Sequence, residues 1–128
     1  MKHLKSTLAF GKIAVLISIF CFLAAFSFAQ SVQDLEAKLK TASAEEKPSI
    51  LNQLAETYLM TDVNKAIEYA EQAYKASRKA DDVNNEAGAL ITLGDAYKSF
   101  KNQKKAIQNY KDAIRIFDQF KQSNSSAY

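Results

Sequence analysis

The 128-residue chain carries 17 Lys and Arg against 14 Asp and Glu, with three Gly, one Pro, one Cys and one His; that fits one small domain plus a targeting segment, built of helices rather than a turn-rich sheet. The formal net charge of +3 belongs to the start of the chain: Lys2, Lys5 and Lys12 lie in the first twelve residues, and from residue 30 onward 14 bases balance 14 acids, leaving no basic field for nucleic acid or anionic lipid. Cys21 and His3 also precede residue 30, so the remainder can form no disulfide, thiolate nucleophile, imidazole base or Cys/His metal site, and no cofactor is implied.

Residues 1–29 read as an address. A basic, acid-free start is followed by the uncharged Ile13–Ala29 and by Ser27-Phe28-Ala29, whose small residues stand where a signal peptidase reads. The pattern predicts a secretory signal peptide over 1–29. The rival is an uncleaved anchor, because seventeen residues lie at the lower edge of a membrane span; only that reading gives the protein a membrane contact. A lipid attachment at Cys21 is disfavoured by bulky Phe20 before it. Either main reading exports residues 30–128, to the periplasm or envelope, or holds them outside the inner membrane.

The exported part reads as helix over 32–121. Val32, Leu35 and Leu39 mark a first helix. Ser43 and Glu46 resemble a capping box, and Pro48 fits only near a helix start. The second helix should run to about Met60. Asp62 is a natural N-cap for a third, Val63 to about Ala80, and Asp82 for a fourth, to about Phe100. The fourth sets Leu90, Leu93, Gly94, Tyr97 and Phe100 on one face. Asn102 can cap the last, Gln103 to about Lys121, ahead of a polar tail, 123–128.

The chain repeats itself. Leu51-x-x-Leu54-Ala55-x-x-Tyr58 recurs as Leu90-x-x-Leu93-Gly94-x-x-Tyr97, 39 residues later, and Lys65-Ala66-Ile67 as Lys105-Ala106-Ile107, 40 residues later. Ala73 recurs as Ala113. Each unit is two helices joined by a short turn, with small residues at Ala55, Gly94, Ala106 and Ala113 where the helices approach.

In these positions the sequence resembles the tetratricopeptide repeat family. Residues 87–117 match through Leu90, Leu93, Gly94, Tyr97, Ala106, Tyr110 and Ala113; residues 48–76 match with Ala55 for the glycine and Ala70 for the aromatic. The usual proline after the second helix is missing. The resemblance implies an all-α fold of tetratricopeptide-like helical hairpins over residues 30–122, a short α-solenoid of about five helices after the N-terminal signal segment. The period exceeds the family's usual length of about 34 residues, through Tyr74 to Glu86. That long variant is similar to the extracytoplasmic repeat region of bacterial tetratricopeptide sensor histidine kinases.

The resemblance implies a binding surface rather than an active site. The groove of such a solenoid would be lined by Asn52, Glu56 and Leu59, then Ile91, Asp95, Lys98 and Ser99. Glu56 and Asp95 stand where an acidic peptide would need cations, so that class of ligand does not fit. Asp81-Asp82 and Glu45-Glu46 fit helix capping better than cation binding, and Tyr58, Tyr97 and Tyr110 fall on packing positions. Three dispersed glycines make no phosphate loop, and no catalytic constellation recommends itself.

On the last helix, Ile107, Ile114, Ile116, Phe117 and Phe120 span more apolar circumference than one neighbour should cover. They form a candidate docking edge for a partner or a second copy, unless the chain is a remnant whose next repeat is lost. The expected function is non-catalytic protein or peptide binding, as a scaffold, an adaptor or the input part of a signalling assembly. The alternative is a membrane-anchored subunit that self-assembles.

Overall fold

A computed structural model describes residues 13–15, 17–18 and 31–125. The leader expected over 1–29 lies outside the described residues, apart from 13–15 and 17–18, which are helical and exposed. Among the described residues no helix is long and apolar enough to cross a membrane. The chain divides into two units, residues 1–34 and 35–128, and the second holds the repeats.

Among the described residues a helix α1 covers 31–41, of which 35–41 fall in the second unit; α2 (Lys47–Tyr58), α3 (Val63–Lys79), α4 (Val83–Ser99) and α5 (Gln103–Ser125) follow in that unit. Each start has a local cause. The Ser43 N–H donates to Glu46 Oε2 at 3.0 Å, and the Glu46 N–H donates back to Ser43 Oγ at 3.3 Å, a reciprocal capping box one turn ahead of α2. The Ser43 amide, and then its hydroxyl, holds the Glu46 carboxyl below the usual carboxylate range. The carboxylates of Asp62 and Asp82 accept from Lys65 N and Asn85 N at 3.2 and 3.0 Å. Asn102 Oδ1 accepts from Lys105 N at 3.2 Å, so all three expected N-caps are in place.

The ends of α2, α3 and α4 fall within two residues of expectation, and only that of α5 departs from it. α2 stops at Tyr58, whose carbonyl takes the Asp62 N–H at 2.8 Å. α3 and α4 end alike. The Asp82 N–H reaches Ser77 O and the Asn102 N–H reaches Tyr97 O, both at 2.9 Å, with Asp81 (φ 54°) and Lys101 (φ 57°) between them in the left-handed region. These are Schellman closures made without glycine. Asp82 and Asn102 thus each close one helix through the main chain and open the next through the side chain. α5 does not stop near Lys121. Nothing breaks it, and it continues through Ser125, so 123–125 are helical rather than a loose tail.

The hairpins α2–α3 and α4–α5 stack because α4 packs on both α3 and α2. Their shared core is rich in alanine: Ala55, Ala70, Ala87 and Ala113 join Leu90 and Leu93, with Ile67, Tyr74 and Tyr97 against them. Residues this small let helix backbones approach closely. Leu54 is wholly buried, and its truncation to Ala should cost about 2–5 kcal/mol. Phe100, expected on the core face of α4, is instead half exposed, because at the helix C-cap the chain has already turned toward α5.

A polar clasp ties α1 to the first hairpin. Tyr58 and Tyr69 stack with ring centroids 5.6 Å apart, and both hydroxyls donate to Glu36 Oε1, at 3.3 and 3.2 Å. Burial, then the Glu36 charge, pushes the Tyr69 phenol up to about 12. Lys65 lies 4.9 Å over the Tyr58 ring and Lys105 lies 4.7 Å over the Tyr97 ring. The Lys-over-Tyr contact therefore recurs with the repeat.

Candidate interaction surface

The residues expected to line the groove do not form one set. Asn52 is buried. Its Nδ2 donates to Asn85 O and Asn85 Oδ1, both at 2.9 Å, and Asn85 is itself bound to the Asp82 cap. Asn52 is therefore a bolt between α2 and α4 rather than a groove ligand, a correction that follows from α4 lying directly over it. Leu59 is half-buried where α2 ends. Glu56, Ile91, Asp95, Lys98 and Ser99 are exposed. The Ser99 hydroxyl turns back onto Asp95 O at 3.1 Å. The Asp95 carboxylate accepts from the Tyr110 hydroxyl at 2.6 Å, and that bond, ahead of burial, pushes the Tyr110 phenol up to about 12. On α4, Ile91 and Lys98 remain as side chains without a polar commitment.

The last helix divides its apolar residues between two roles. Ile116 was expected on the open edge, but it is half-buried against the core cluster. It lies one turn beyond Ala113 on the side that faces α4, which corrects its place. Ile107, Ile114, Phe117 and Phe120 are exposed, Ile107 by 52% and Ile114 by 60%. The repeat shows what such positions look like when covered. Ile67 and Tyr74, which correspond to Ile107 and Ile114, pack against the core beside α4. Ser77, which corresponds to Phe117, is fully buried, and so is Ala70, which corresponds to Tyr110. The first hairpin is capped by α4; the same face of the second hairpin is open.

Tyr110 packs as its repeat position predicts: its ring lies against Gly94, its hydroxyl donates to Asp95 Oδ1, and the half-buried ring borders that open face. The spacing of Ile107, Tyr110, Ile114 and Phe117, alternately three and four residues, was the sequence signal for the face.

Among the described residues no group of three or more His, Cys, Asp or Glu side chains could hold a metal ion. Asp81 is spent on the left-handed closure of α3 and Asp82 on capping α4.

Two stacked hairpins, with small residues at the closest approaches, agree with a family model described as Tetratricopeptide repeat, which matches residues 46–119. The chain belongs to the tetratricopeptide repeat family. Comparison with curated proteins and with solved structures gave no match. Tetratricopeptide repeats are protein-interaction folds without catalytic machinery of their own, and their stacking leaves helix faces for partners. In this tetratricopeptide chain the match takes in α2 to α4 and most of α5, including Ile107, Tyr110, Ile114 and Phe117.

Proposed function

We propose that residues 30–128 act outside the cytoplasm as a non-catalytic binding module, a scaffold or the input part of a signalling assembly, delivered by the leader of residues 1–29. The observation that carries the binding role is the open face of the second hairpin. Ile107, Ile114 and Phe117 are exposed where the first hairpin buries its equivalents under α4, and apolar side chains grouped in this way on a soluble fold mark a contact. Export rests on the basic, apolar and small-x-small order of residues 1–29. Glu56, Asp95 and Lys98 leave the α2–α4 face mixed in charge, which suits a partner with polar and apolar groups over a polyanionic tail.

The test is photocrosslinking in intact cells from the tagged full chain, with the reactive residue at Lys98, at Ile114 or, as a control, at Lys75 on the far face of α3. Crosslinks to protein from the first two positions and not from the third are expected, on a chain beginning at Gln30. Equal yields at all three would sink the reading. A chain that keeps Met1–Ala29 would replace the released module with a membrane-anchored one.

A further inference from the structure

We propose that the open face of α5 is covered by α5 of a second copy, the two helices running antiparallel about a two-fold axis beside Ile114. The inference rests on the reading of that face as a protein contact and names its occupant.

Three observations select a second copy. Ile107, Tyr110, Ile114 and Phe117 are spaced three, four and three residues apart, the seam along which two α-helices pack knobs into holes. Beside that seam, on the solvent side, stand Lys111 and Asp118, both exposed. Neither side chain makes an ion pair or hydrogen bond among the described residues, where the ion pairs are Arg78–Glu86 and Arg115–Asp112. Lys111 and Asp118 lie seven residues apart, with Ile114 three after the one and four before the other. An antiparallel pair with its axis there sets each Lys111 level with the partner's Asp118, twice over. A parallel pair in register would instead set lysine against lysine and aspartate against aspartate. The stripe is thus complementary to itself in one orientation only.

The third observation is length. α5 has 23 residues and α4, which covers it, has 17. With Gly94 facing Tyr110, the antiparallel α4 begins about level with Lys121, so the end of α5 runs past its cover. In the proposed pair that overhang lies over the other copy's Ile107, while Ile114 meets its counterpart beside the axis. A closed two-fold contact of this kind uses the edge up and leaves the face bearing Glu56 and Lys98 free.

The experiment uses the full chain with Cys21→Ser, carrying Lys111→Cys under one tag or Asp118→Cys under another, co-expressed and treated with a short bis-maleimide. Crosslinked heterodimer should exceed either self-crosslinked product by about tenfold. In sedimentation of the purified chain, Lys111→Asp or Asp118→Lys alone should weaken self-association about tenfold, and the two together should restore it. Ile114→Asp should abolish it while the helical circular dichroism signal and its melting transition persist, since Ile114 is exposed. A chain that sediments as a monomer, crosslinks that do not prefer the mixed pair, or a double charge swap without recovery would each overturn the proposal. A monomer that still crosslinks to a different protein from Ile114 would overturn the dimer and leave the binding reading standing.

Discussion

The ring of Tyr110 lies against Gly94: a Cβ there would stand 2.7 Å from Cδ1 and 2.8 Å from Cζ of that ring. The first hairpin solves the same problem in the opposite way, with Ala55 in place of the glycine and Ala70 in place of the tyrosine, both fully buried. The volume lost on one helix is thus gained on the other. Gly94→Ala should therefore destabilise the fold by about 1–2 kcal/mol, the overpacking outweighing alanine's better helix propensity. Gly94→Ala combined with Tyr110→Ala should cost less than the two singles added together, because it recreates the Ala55–Ala70 arrangement. Urea unfolding of the four proteins measures the coupling; simple additivity would show that the ring does not govern the site.

Lys101 carries a β-carbon in the left-handed region at φ 57°, a conformation that costs an L-residue about 1–2 kcal/mol. Lys101→Gly removes that strain and gives part of it back as unfolded-chain entropy. The expected outcome is a net stabilisation of about 0.5–1 kcal/mol, read as a rise of a few degrees in thermal midpoint. The same change at Asp81 should yield less, because aspartate tolerates this region better than lysine. No gain at Lys101 would show that its closure is strain-free.

The helix starts were legible in the sequence because capping acts within four residues: Asp62, Asp82, Asn102 and the Ser43–Glu46 pair all sit where their types predict. The left-handed closures were not legible, since no glycine marks them and Lys101 has no preference for that conformation. The repeat showed which helices pair, from Ala55, Gly94, Ala106 and Ala113. It could not show that Asn52 and Ile91, equivalent by register, meet opposite fates. Asn52 lies under α4, and among the described residues no helix follows α5 to lie over Ile91. The exposed apolar edge was legible as a surplus of apolar residues, but sorting Ile116 into the core depends on the angle at which α4 crosses α5. That angle is a property of packing and is not written in local spacing.

Tyr110 and Tyr69 should ionise above the ordinary range of a phenol. Both phenols are pushed from 10.0 to about 12, so the folded state holds these protons more tightly than the unfolded chain does. The stability they contribute is complete below pH 10 and is lost as pH rises from 10 towards 12. The leading causes differ: the Asp95 hydrogen bond for Tyr110, burial for Tyr69. Asp95→Asn should thus bring Tyr110 back towards its ordinary range and leave Tyr69 where it is. Ultraviolet titration of tyrosinate in the two proteins isolates the difference; superimposable curves would mean that Asp95 does not hold the Tyr110 proton.

Asn52 offers a test of hydrogen-bond direction inside the repeat junction. Its Nδ2 supplies two bonds to Asn85, its Oδ1 is buried with no partner, and Gly88 leaves just enough room, a Cβ there falling 3.3 Å from Nδ2. Asn52→Ala removes both donors and opens a void, and should cost about 1–3 kcal/mol. Asn52→Asp keeps the shape but sets a carboxylate against the acceptor oxygens of Asn85, in a place that water does not reach. That loss should exceed the alanine loss, because a buried charge without a donor pays full desolvation. Asn52→Leu, with no polar atom and similar volume, should fall closest to wild type, since it also deletes the unpartnered oxygen. The order Leu, Ala, Asp in chemical denaturation is the expected result. An aspartate milder than alanine would mean that the donors at this position come from Asn85 rather than from Asn52.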